Sequence, residues 1–123
     1  MSDLDKHNYL LLGTRKKDGS FVDTPVWFAK DGNTLYLFST GDAGKVKRLR
    51  NFSEARVAPC TVSGKTLGEF RKATARLIED DAGRAEAHRQ LLKKYGWQMR
   101  LLDLGARLAG RIKSRAYIRV ELV

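Results

Sequence analysis

Gly44-Lys45-Val46-Lys47-Arg48-Leu49-Arg50-Asn51 is a short and very basic segment, and it closely follows the apolar run that ends in Ser39-Thr40. Helices usually carry acidic residues in the first turn and basic residues in the last, because unpaired N–H groups make the start positive. Here Lys45, Lys47 and Arg48 crowd the start of the predicted helix instead. Backbone N–H groups and side-chain cations then converge at one place, which indicates an anion site, most economically for a phosphate.

Strands are predicted on both sides of this basic helix. Runs rich in β-branched and aromatic residues alternate with turns at 17–20 and 30–33, which predicts a three-stranded meander before the helix. After the helix, apolar and polar residues alternate in three more runs. The six predicted strands cover residues 9–15, 21–29, 34–39, 55–62, 70–79 and 116–122. The fold class is therefore mainly β (α+β), with a six-stranded antiparallel barrel.

Two further helices are predicted before the last strand. Asp80 or Asp81 can cap a helix over residues 82–95, and Gly96 supplies its C-terminal stop. The face that this helix is expected to bury consists of Ala85, His88, Leu92 and Tyr95. Residues 97–113 have leucines at helical spacing but contain two glycines, which predicts a short or broken helix.

The composition favours a single domain over residues 1–123, since 42% hydrophobic residues in 123 suffice for one core. No apolar run approaches the roughly 20 residues that span a bilayer, and the first residues lack the apolar centre of a signal peptide. We therefore expect a cytoplasmic protein. The single cysteine, Cys60, lies in an apolar run and is expected to be a buried structural thiol.

The residues needed for several kinds of chemistry are absent from the sequence. With one cysteine and only His7 and His88, no metal site and no local catalytic cluster is predicted, and His88 is expected to be a packing residue. There is no P-loop and no Gly-x-Gly-x-x-Gly motif. An anion site without catalytic residues is typical of a protein that positions a cofactor.

The order of these segments resembles the pyridoxamine 5′-phosphate oxidase-like split-barrel family, over about residues 9–123. The resemblance is carried by the strand with Thr24-Pro25-Val26-Trp27, the strand end Ser39-Thr40, the basic helix and the strand with Pro59-Cys60. Within this family, the sequence resembles more specifically the branch of reductases that use the deazaflavin coenzyme F420 (8-hydroxy-5-deazaflavin). It implies an FMN-binding type of split barrel and a homodimer with the cofactor at the interface.

The resemblance also implies roles for individual residues. The strand of Thr24, Pro25, Val26 and Trp27 would run along the flavin-type ring, and Ser39 and Thr40 would meet the phosphate or ribityl region. Lys45 matches the phosphate-binding lysine of the family, and Arg48 shares its helix face, whereas Lys47 is a weaker candidate. Pro59 and Cys60 could approach the ring edge, although core packing is simpler. Val46 and Leu49 are expected on the buried side of the helix.

The sequence departs from the oxidases that act on vitamin B6, because their C-terminal Arg-x-His motif has no counterpart here. The resemblance instead implies hydride transfer to an electron-poor small molecule. The candidate proton donors Tyr36, Tyr95 and Tyr117 are each expected to pack with the hydroxyl at the surface. A polycarboxylate tail of the deazaflavin would need cations, for which the candidates are Lys93, Lys94, Arg107, Arg111, Lys113 and Arg115, each by itself more typical of a solvated surface charge.

Three alternatives remain at this level. FMN could occupy the same phosphate site in a flavin reductase or oxidase. The net charge of +10 lies wholly after residue 44, which also fits nucleic acid, but most aromatic residues lie in the first half, so no nucleic acid is expected. Trp97, Met99, Leu101, Leu102, Leu104 and Leu108, with Arg100, Arg107 and Arg111, could contact an anionic membrane, but core or dimer packing is preferred.

Overall fold

The computed structural model describes Leu4, residues 6–110 and residues 114–123. Within these residues the chain forms seven strands and three helices. In chain order they are β1 Tyr9–Arg15, β2 Phe21–Val26, β3 Ala29–Asp31, β4 Thr34–Thr40, α1 Gly44–Asn51, β5 Glu54–Cys60, β6 Arg71–Ile78, α2 Asp81–Tyr95, α3 Trp97–Leu108 and β7 Arg115–Leu122. All strands pair antiparallel in one sheet of order β2-β1-β5-β6-β7-β4-β3.

The second predicted strand is in fact two strands, which corrects the expected number from six to seven. β2 pairs with β1 and β3 pairs with β4, so they form opposite edges of the sheet. Because Val26 and Ala29 are only three residues apart, the two edges lie within about 10 Å of each other. The sheet therefore curls into a half-barrel whose two edges are joined by the chain itself.

The break between β2 and β3 has a physical cause in Phe28. Its side chain is fully buried in the barrel core, and its backbone has left the strand ladder. The Tyr95 hydroxyl accepts a hydrogen bond from the N–H of Phe28 (3.0 Å) and lies 3.0 Å from its carbonyl oxygen. A buried backbone that lacks a strand partner needs such a substitute. A residue of α2 thus stabilises the corner where the chain crosses between the sheet edges.

Alternating side chains of the sheet pack into one core inside the barrel and into two smaller clusters on the side of the helices. In β4, Leu35 and Leu37 face the barrel interior, whereas Tyr36 and Phe38 face the helices. Leu49 of α1 joins the interior core, so α1 packs against the barrel interior. The larger of the two helix-side clusters is formed by Ala29, Leu91, Tyr95 and Met99, with Trp27, Phe38, Leu92 and Tyr117 packed around it.

The predicted helix over 82–95 is confirmed as α2. Asp80 caps it by accepting a hydrogen bond from the N–H of Gly83 (2.7 Å), and Gly96 ends it at a φ of 59°. The predicted buried face was only partly correct, since Tyr95 is buried as expected but His88 and Leu92 are half-buried. Ala87, Leu91 and Tyr95 are the buried side chains, while the expected Ala85 is exposed. The offset arises because α2 packs on Ala29 and Tyr36, whose position local periodicity does not encode.

α3 is one continuous helix up to Leu108, not a broken one, and Gly105 lies within it. Residues 111–113, which end the predicted segment, lie outside the described residues. β5 ends at Cys60, two residues earlier than predicted, because a turn follows in which the N–H of Thr61 donates to the carbonyl of Lys65 (2.9 Å). Within the described ranges, no helix has the length and apolar character required to cross a bilayer.

Candidate cofactor site

The start of α1 is arranged as the sequence predicts for an anion site. Val46 and Leu49 are buried, Lys45 and Arg48 are half-buried, and Lys47 is exposed. Ala43 at the N-cap provides no side-chain hydrogen bond, and the first turn contains no acidic residue. The N–H of Val46 donates to the carbonyl of Ala43 (3.1 Å), so in the described residues the N–H groups of Gly44 and Lys45 keep their partial positive charge beside two cationic side chains.

Lys45 and Arg48 form a positive pair that lacks a carboxylate. Burial and then the neighbouring Arg48 lower the pKa of Lys45, since both disfavour its charged form. In the described part of the chain, neither residue makes an ion pair with an acidic side chain. A phosphate at this place would relieve the repulsion and replace lost hydration. The residues present therefore fit a phosphate-bearing cofactor.

Two residues that the sequence analysis did not single out hold Arg48 in place. Its Nε donates a hydrogen bond of 2.6 Å to Oγ1 of Thr14, which is fully buried in β1. Its Nη1 lies so near Gly44 that a Cβ there would approach it to 2.9 Å. The glycine lets the guanidinium fold back along the first turn of its own helix. The i, i+4 spacing of Gly44 and Arg48 was a visible signal, whereas the contact with Thr14, 34 positions away, was not.

Ser39 and Thr40 end β4 and are joined to α1 by a tight turn. The N–H of Ala43 donates to the carbonyl of Thr40 (3.1 Å). Both residues also line a cavity of about 260 Å³ beneath α3. The other lining residues are Phe38, Leu101, Leu102, Gly105, Ala106 and Arg115, so the cavity is mainly apolar with hydroxyl groups at one side. No signal in the sequence indicated that α3 covers a cavity.

The Thr24–Trp27 segment and the Pro59–Cys60 segment lie on either side of β1. Leu10 pairs with Val26 on one side and with Pro59 on the other. In the described residues, the Thr24 hydroxyl is a buried side-chain group with no hydrogen-bond partner. A buried polar atom without a partner is costly, and a ligand atom could satisfy it. This orphaned oxygen lies on the strand that the family resemblance assigns to the ring.

Other residues of the two segments serve packing. The Trp27 ring stacks on Tyr95, with centroids 4.3 Å apart and planes at 8°, while Val26 is buried in the barrel core and Pro25 is exposed. Cys60 is only 3% exposed, and burial raises the pKa of its thiol. The expected burial of Cys60 is confirmed, and its approach to the ring edge stays a prediction.

The distance between the two parts of the predicted site follows from strand geometry. Thr14, which binds Arg48, and Leu10, which pairs with Val26, are four residues apart on β1. At about 3.3 Å per residue they are separated by about 13 Å. A ring joined to a phosphate by an extended chain can span such a distance.

The candidate proton donor Tyr95 has a buried hydroxyl, which corrects its expected surface position. The hydroxyl donates to the carbonyl of Asn8 (2.7 Å) and accepts from the N–H of Phe28. Burial raises its pKa to about 12. Tyr36 is also buried, and the Tyr117 oxygen lies 3.4 Å from Arg115 Nη1. Tyr95 is thus a structural group rather than an acid poised near neutral pH.

Two of the cations expected to hold a polyanionic tail are engaged within the protein. Arg115 has a side chain only 6% exposed, donates to Asp103 Oδ1 (2.6 Å) and lies over the Phe38 ring. Lys94 donates to the carbonyl of His7 (2.8 Å). Lys93 and Arg107 are exposed, as a solvated charge would be. Arg111 and Lys113 lie outside the described residues.

His88 is satisfied by a neighbour, as expected for a packing residue. Its Nε2 lies 2.7 Å from Oδ2 of Asp103, which also binds Arg115. Burial by itself raises the pKa of Asp103, but hydrogen bonds from Arg115 and His88 outweigh it, so the pKa lies below its usual value. The cluster joins α2, α3 and β7 without leaving a free catalytic group among these three residues.

Several solved structures are similar to this fold. HutZ, the haem storage protein from Vibrio cholerae, is 12% identical with a TM-score of 0.73, covering 99% of this chain and 87% of that one. A FAD-binding protein from Mesorhizobium loti is 16% identical with a TM-score of 0.67, covering 99% and 86%. A flavocytochrome from Azotobacter vinelandii is 19% identical with a TM-score of 0.63, covering 97% and 60%. At these identities the similarity shows the fold.

The sequence itself identifies the family. No curated protein sequence matches the chain. The sequence profile described as pyridoxamine 5′-phosphate oxidase matches residues 2–122. The match extends over β1 to β7, including α1 and the strands on either side of β1 that carry the candidate site. The chain therefore belongs to the pyridoxamine 5′-phosphate oxidase family.

Proposed function

We propose that this protein is an oxidoreductase that binds a flavin-type cofactor through the start of α1. The observation that carries the proposal is the half-buried pair of Lys45 and Arg48, which has no carboxylate partner among the described residues. The orphaned Thr24 hydroxyl and the FAD-binding protein among the similar structures add support. Our specific proposal for the cofactor is the deazaflavin coenzyme F420, with FMN as the alternative.

A flavin or deazaflavin supplies the electron-transfer chemistry when bound, so the chain needs to provide binding, orientation and exclusion of water. The side chains of Lys45 and Arg48, together with the backbone N–H groups of Gly44 and Lys45, would hold the phosphate. Thr24 would offer a hydroxyl to the ring. The apolar cavity under α3, with Ser39 and Thr40 at one side, would accommodate an electron-poor small molecule and shield it from water.

Titration tests this proposal directly. FMN, FAD and the deazaflavin coenzyme are titrated separately into the protein while their fluorescence is followed. The Lys45→Ala/Arg48→Ala variant should bind the preferred cofactor more weakly, because each charge-assisted hydrogen bond contributes about 1.5–3 kcal/mol. The matched control, Arg50→Ala/Arg76→Ala, removes the same charge from two exposed positions. Equal affinity in both double variants, or no binding of any of the three cofactors, would refute the proposal.

A homodimer is the assembly that we propose for this site. Trp97, Leu101, Leu104 and Leu108 recur at helical spacing along α3, and each is more than half exposed. An exposed apolar stripe of this size is typical of an interface. The cavity beneath α3 opens beside two of the helix's leucines, so a second copy on this stripe would help to close it.

A further inference from the structure

A second basic cavity lies on the opposite end of α1 from the Lys45 site. It has a volume of about 260 Å³ and is formed by the β1–β2 turn and the last turn of α1. Its lining residues are Arg15, Lys16, Lys17, Lys47, Arg48, Asn51 and Phe52. Five of these seven side chains are cations, and none is acidic. The family resemblance assigned no role to the turn residues.

Both arginines of this cavity are held in place by the protein. The Arg15 guanidinium carbon lies 4.3 Å from the centre of the Phe52 ring, and Arg48 is tied to Thr14 through Nε. A guanidinium that is already ordered loses little conformational freedom when it binds an anion. These contacts leave the Nη groups of Arg48 available for a ligand.

The turn that carries the lysines is also well defined. The N–H of Lys16 donates to the carbonyl of Ser20 (2.8 Å), and the N–H of Gly19 donates back to the carbonyl of Lys16 (3.0 Å). Gly19 adopts a φ of 90°, which favours glycine. Lys16 and Lys17 are therefore presented to the cavity from a fixed backbone.

Two nearby carboxylates offset only part of this charge, since Asp18 interacts electrostatically with Lys16 and Glu54 pairs with Arg15, whereas the cavity is lined by five cations. Asp18 is engaged by the backbone N–H (2.9 Å) and the hydroxyl (2.6 Å) of Ser20. Glu54 lies 3.7 Å from Arg15 and is mostly exposed. The negative end of the α1 dipole favours Arg48, which lies in the last turn of the helix. It does not account for Lys16 and Lys17, which belong to another element.

Arg48 lines this cavity and also lies against the first turn of α1, so the two anion sites share one residue. Lys45 and Asn51 are six residues apart, or about 9 Å along the helix axis. We propose that the cavity binds a multiply charged small anion, and that in the cofactor complex this is a second anionic group attached beyond the phosphate at Lys45. The assignment of this anion to the cofactor rests on the proposed function. The anionic group that we expect in the cavity is a pyrophosphate or an oligocarboxylate.

The proposal implies a preference among cofactors. FMN ends at its single phosphate and would leave the cavity to water. A cofactor extended by a pyrophosphate or by several carboxylates would engage both sites, which raises its affinity without any new contact to the ring. The extended cofactors should also show the steeper dependence of affinity on salt, because more charges are paired.

Calorimetric titration of the whole chain with inorganic pyrophosphate tests the cavity without any flavin. The variant Lys16→Ala/Lys17→Ala/Lys47→Ala leaves Lys45 and Arg48 in place. Its control, Lys65→Ala/Lys72→Ala/Arg76→Ala, removes the same charge from exposed residues that do not line the cavity. We expect pyrophosphate affinity to fall about tenfold or more in the cavity variant and little in the control, since charge-assisted bonds to a dense anion are lost. Thermal unfolding confirms that both variants fold.

The same variants separate this inference from the proposed function. A cavity variant that binds FMN normally but FAD or the deazaflavin weakly supports both halves of the inference. Cavity-dependent binding of pyrophosphate with no binding of any flavin would overturn the proposed function and leave the anion site standing. Equal pyrophosphate affinity in the two triple variants would overturn the inference. A single-stranded oligonucleotide that uses the three lysines and outcompetes pyrophosphate would overturn it as well.

Discussion

At the scale of single residues, a substitution at Gly44 should affect cofactor binding without destabilising the fold. A Cβ at Gly44 would meet only the end of the Arg48 side chain, whose Nη1 can shift by a few tenths of an ångström while Nε keeps its hydrogen bond to Thr14. Gly44→Ala should therefore leave stability unchanged or slightly higher, because alanine favours a helix. It should nevertheless weaken cofactor binding, since it displaces the guanidinium from the first turn. Titration and urea unfolding of the same variant measure both effects.

The control for this substitution is Gly105→Ala in α3. A Cβ at Gly105 would meet nothing within 4 Å, so the change should stabilise the protein by about 0.5–1 kcal/mol. Cofactor affinity at α1 should stay the same. A Gly44→Ala variant with normal cofactor affinity would show that the position of the Arg48 guanidinium is unimportant for binding.

Tyr95 should control stability at alkaline pH. Its pKa is raised to about 12 in the folded protein, above the usual value of about 10. The linked stabilisation is fully present below the unfolded pKa and is lost as pH rises through the folded one. The free energy of unfolding of the wild type should therefore fall between about pH 10 and 12. The Tyr95→Phe variant should be less stable at neutral pH, and its stability should fall less over this alkaline range.

Urea unfolding at several pH values measures this effect. At neutral pH, Tyr95→Phe should cost about 1–3 kcal/mol, because the N–H of Phe28 and the carbonyl of Asn8 lose their partner. Tyr9→Phe is the control at neutral pH only, since no hydrogen bond of its hydroxyl is found in the described residues but its charge helps to raise the pKa of Tyr95. If Tyr95→Phe loses as much stability at alkaline pH as the wild type does, the alkaline loss is caused by other groups.

At the scale of elements, Asp103 anchors α3 to the rest of the fold. It binds Arg115 of β7 and His88 of α2, and Arg115 is nearly inaccessible. Asp103→Ala should cost about 3 kcal/mol or more in the free energy of unfolding, because it leaves a buried guanidinium without its counter-charge. Glu54→Ala, which removes the exposed pair with Arg15, should cost at most about 1 kcal/mol. Similar losses in both variants would contradict this role.

The lowered pKa of Asp103 gives the same cluster a signature in acid. A carboxylate with a depressed folded pKa contributes stability above its unfolded pKa, and this is lost as pH falls through the folded value. Asp103→Asn should therefore flatten the acid side of the stability profile. Urea midpoints measured from neutral to acidic pH report this slope. A slope as steep as that of the wild type would assign acid unfolding to other carboxylates.

At the scale of the whole molecule, the exposed stripe on α3 predicts the assembly. Leu104→Arg should convert a homodimer to a monomer, since an unpaired charge at the centre of an apolar interface is not tolerated. Val62→Arg changes another exposed apolar side chain away from α3 and should leave the dimer intact. Light scattering coupled to gel filtration measures both. A wild-type monomer at all concentrations would contradict the dimer, and sedimentation with anionic vesicles would assign the stripe to a membrane.

Local sequence signals are enough to specify several elements of this fold. The β1–β2 hairpin, α2 with its Asp80 cap and Gly96 stop, and the two-residue alternation of β7 all followed from neighbouring residues. Helical spacing alone also predicts the two faces of α1. Val46 and Leu49 lie on its buried face, and Lys45 and Arg48 lie on another face. These features need no knowledge of distant parts of the chain.

Other features depend on partners far away in the sequence and become visible only in the folded chain. The break between β2 and β3 requires the Tyr95 hydroxyl, 67 positions from Phe28, and the orientation of Arg48 requires Thr14, 34 positions away. The burial of Arg115 beside Asp103 and the buried face of α2 likewise depend on how helices pack on the sheet. Burial of apolar surface brings such pairs together. The periodicity of neighbouring residues does not predict which distant residues will meet.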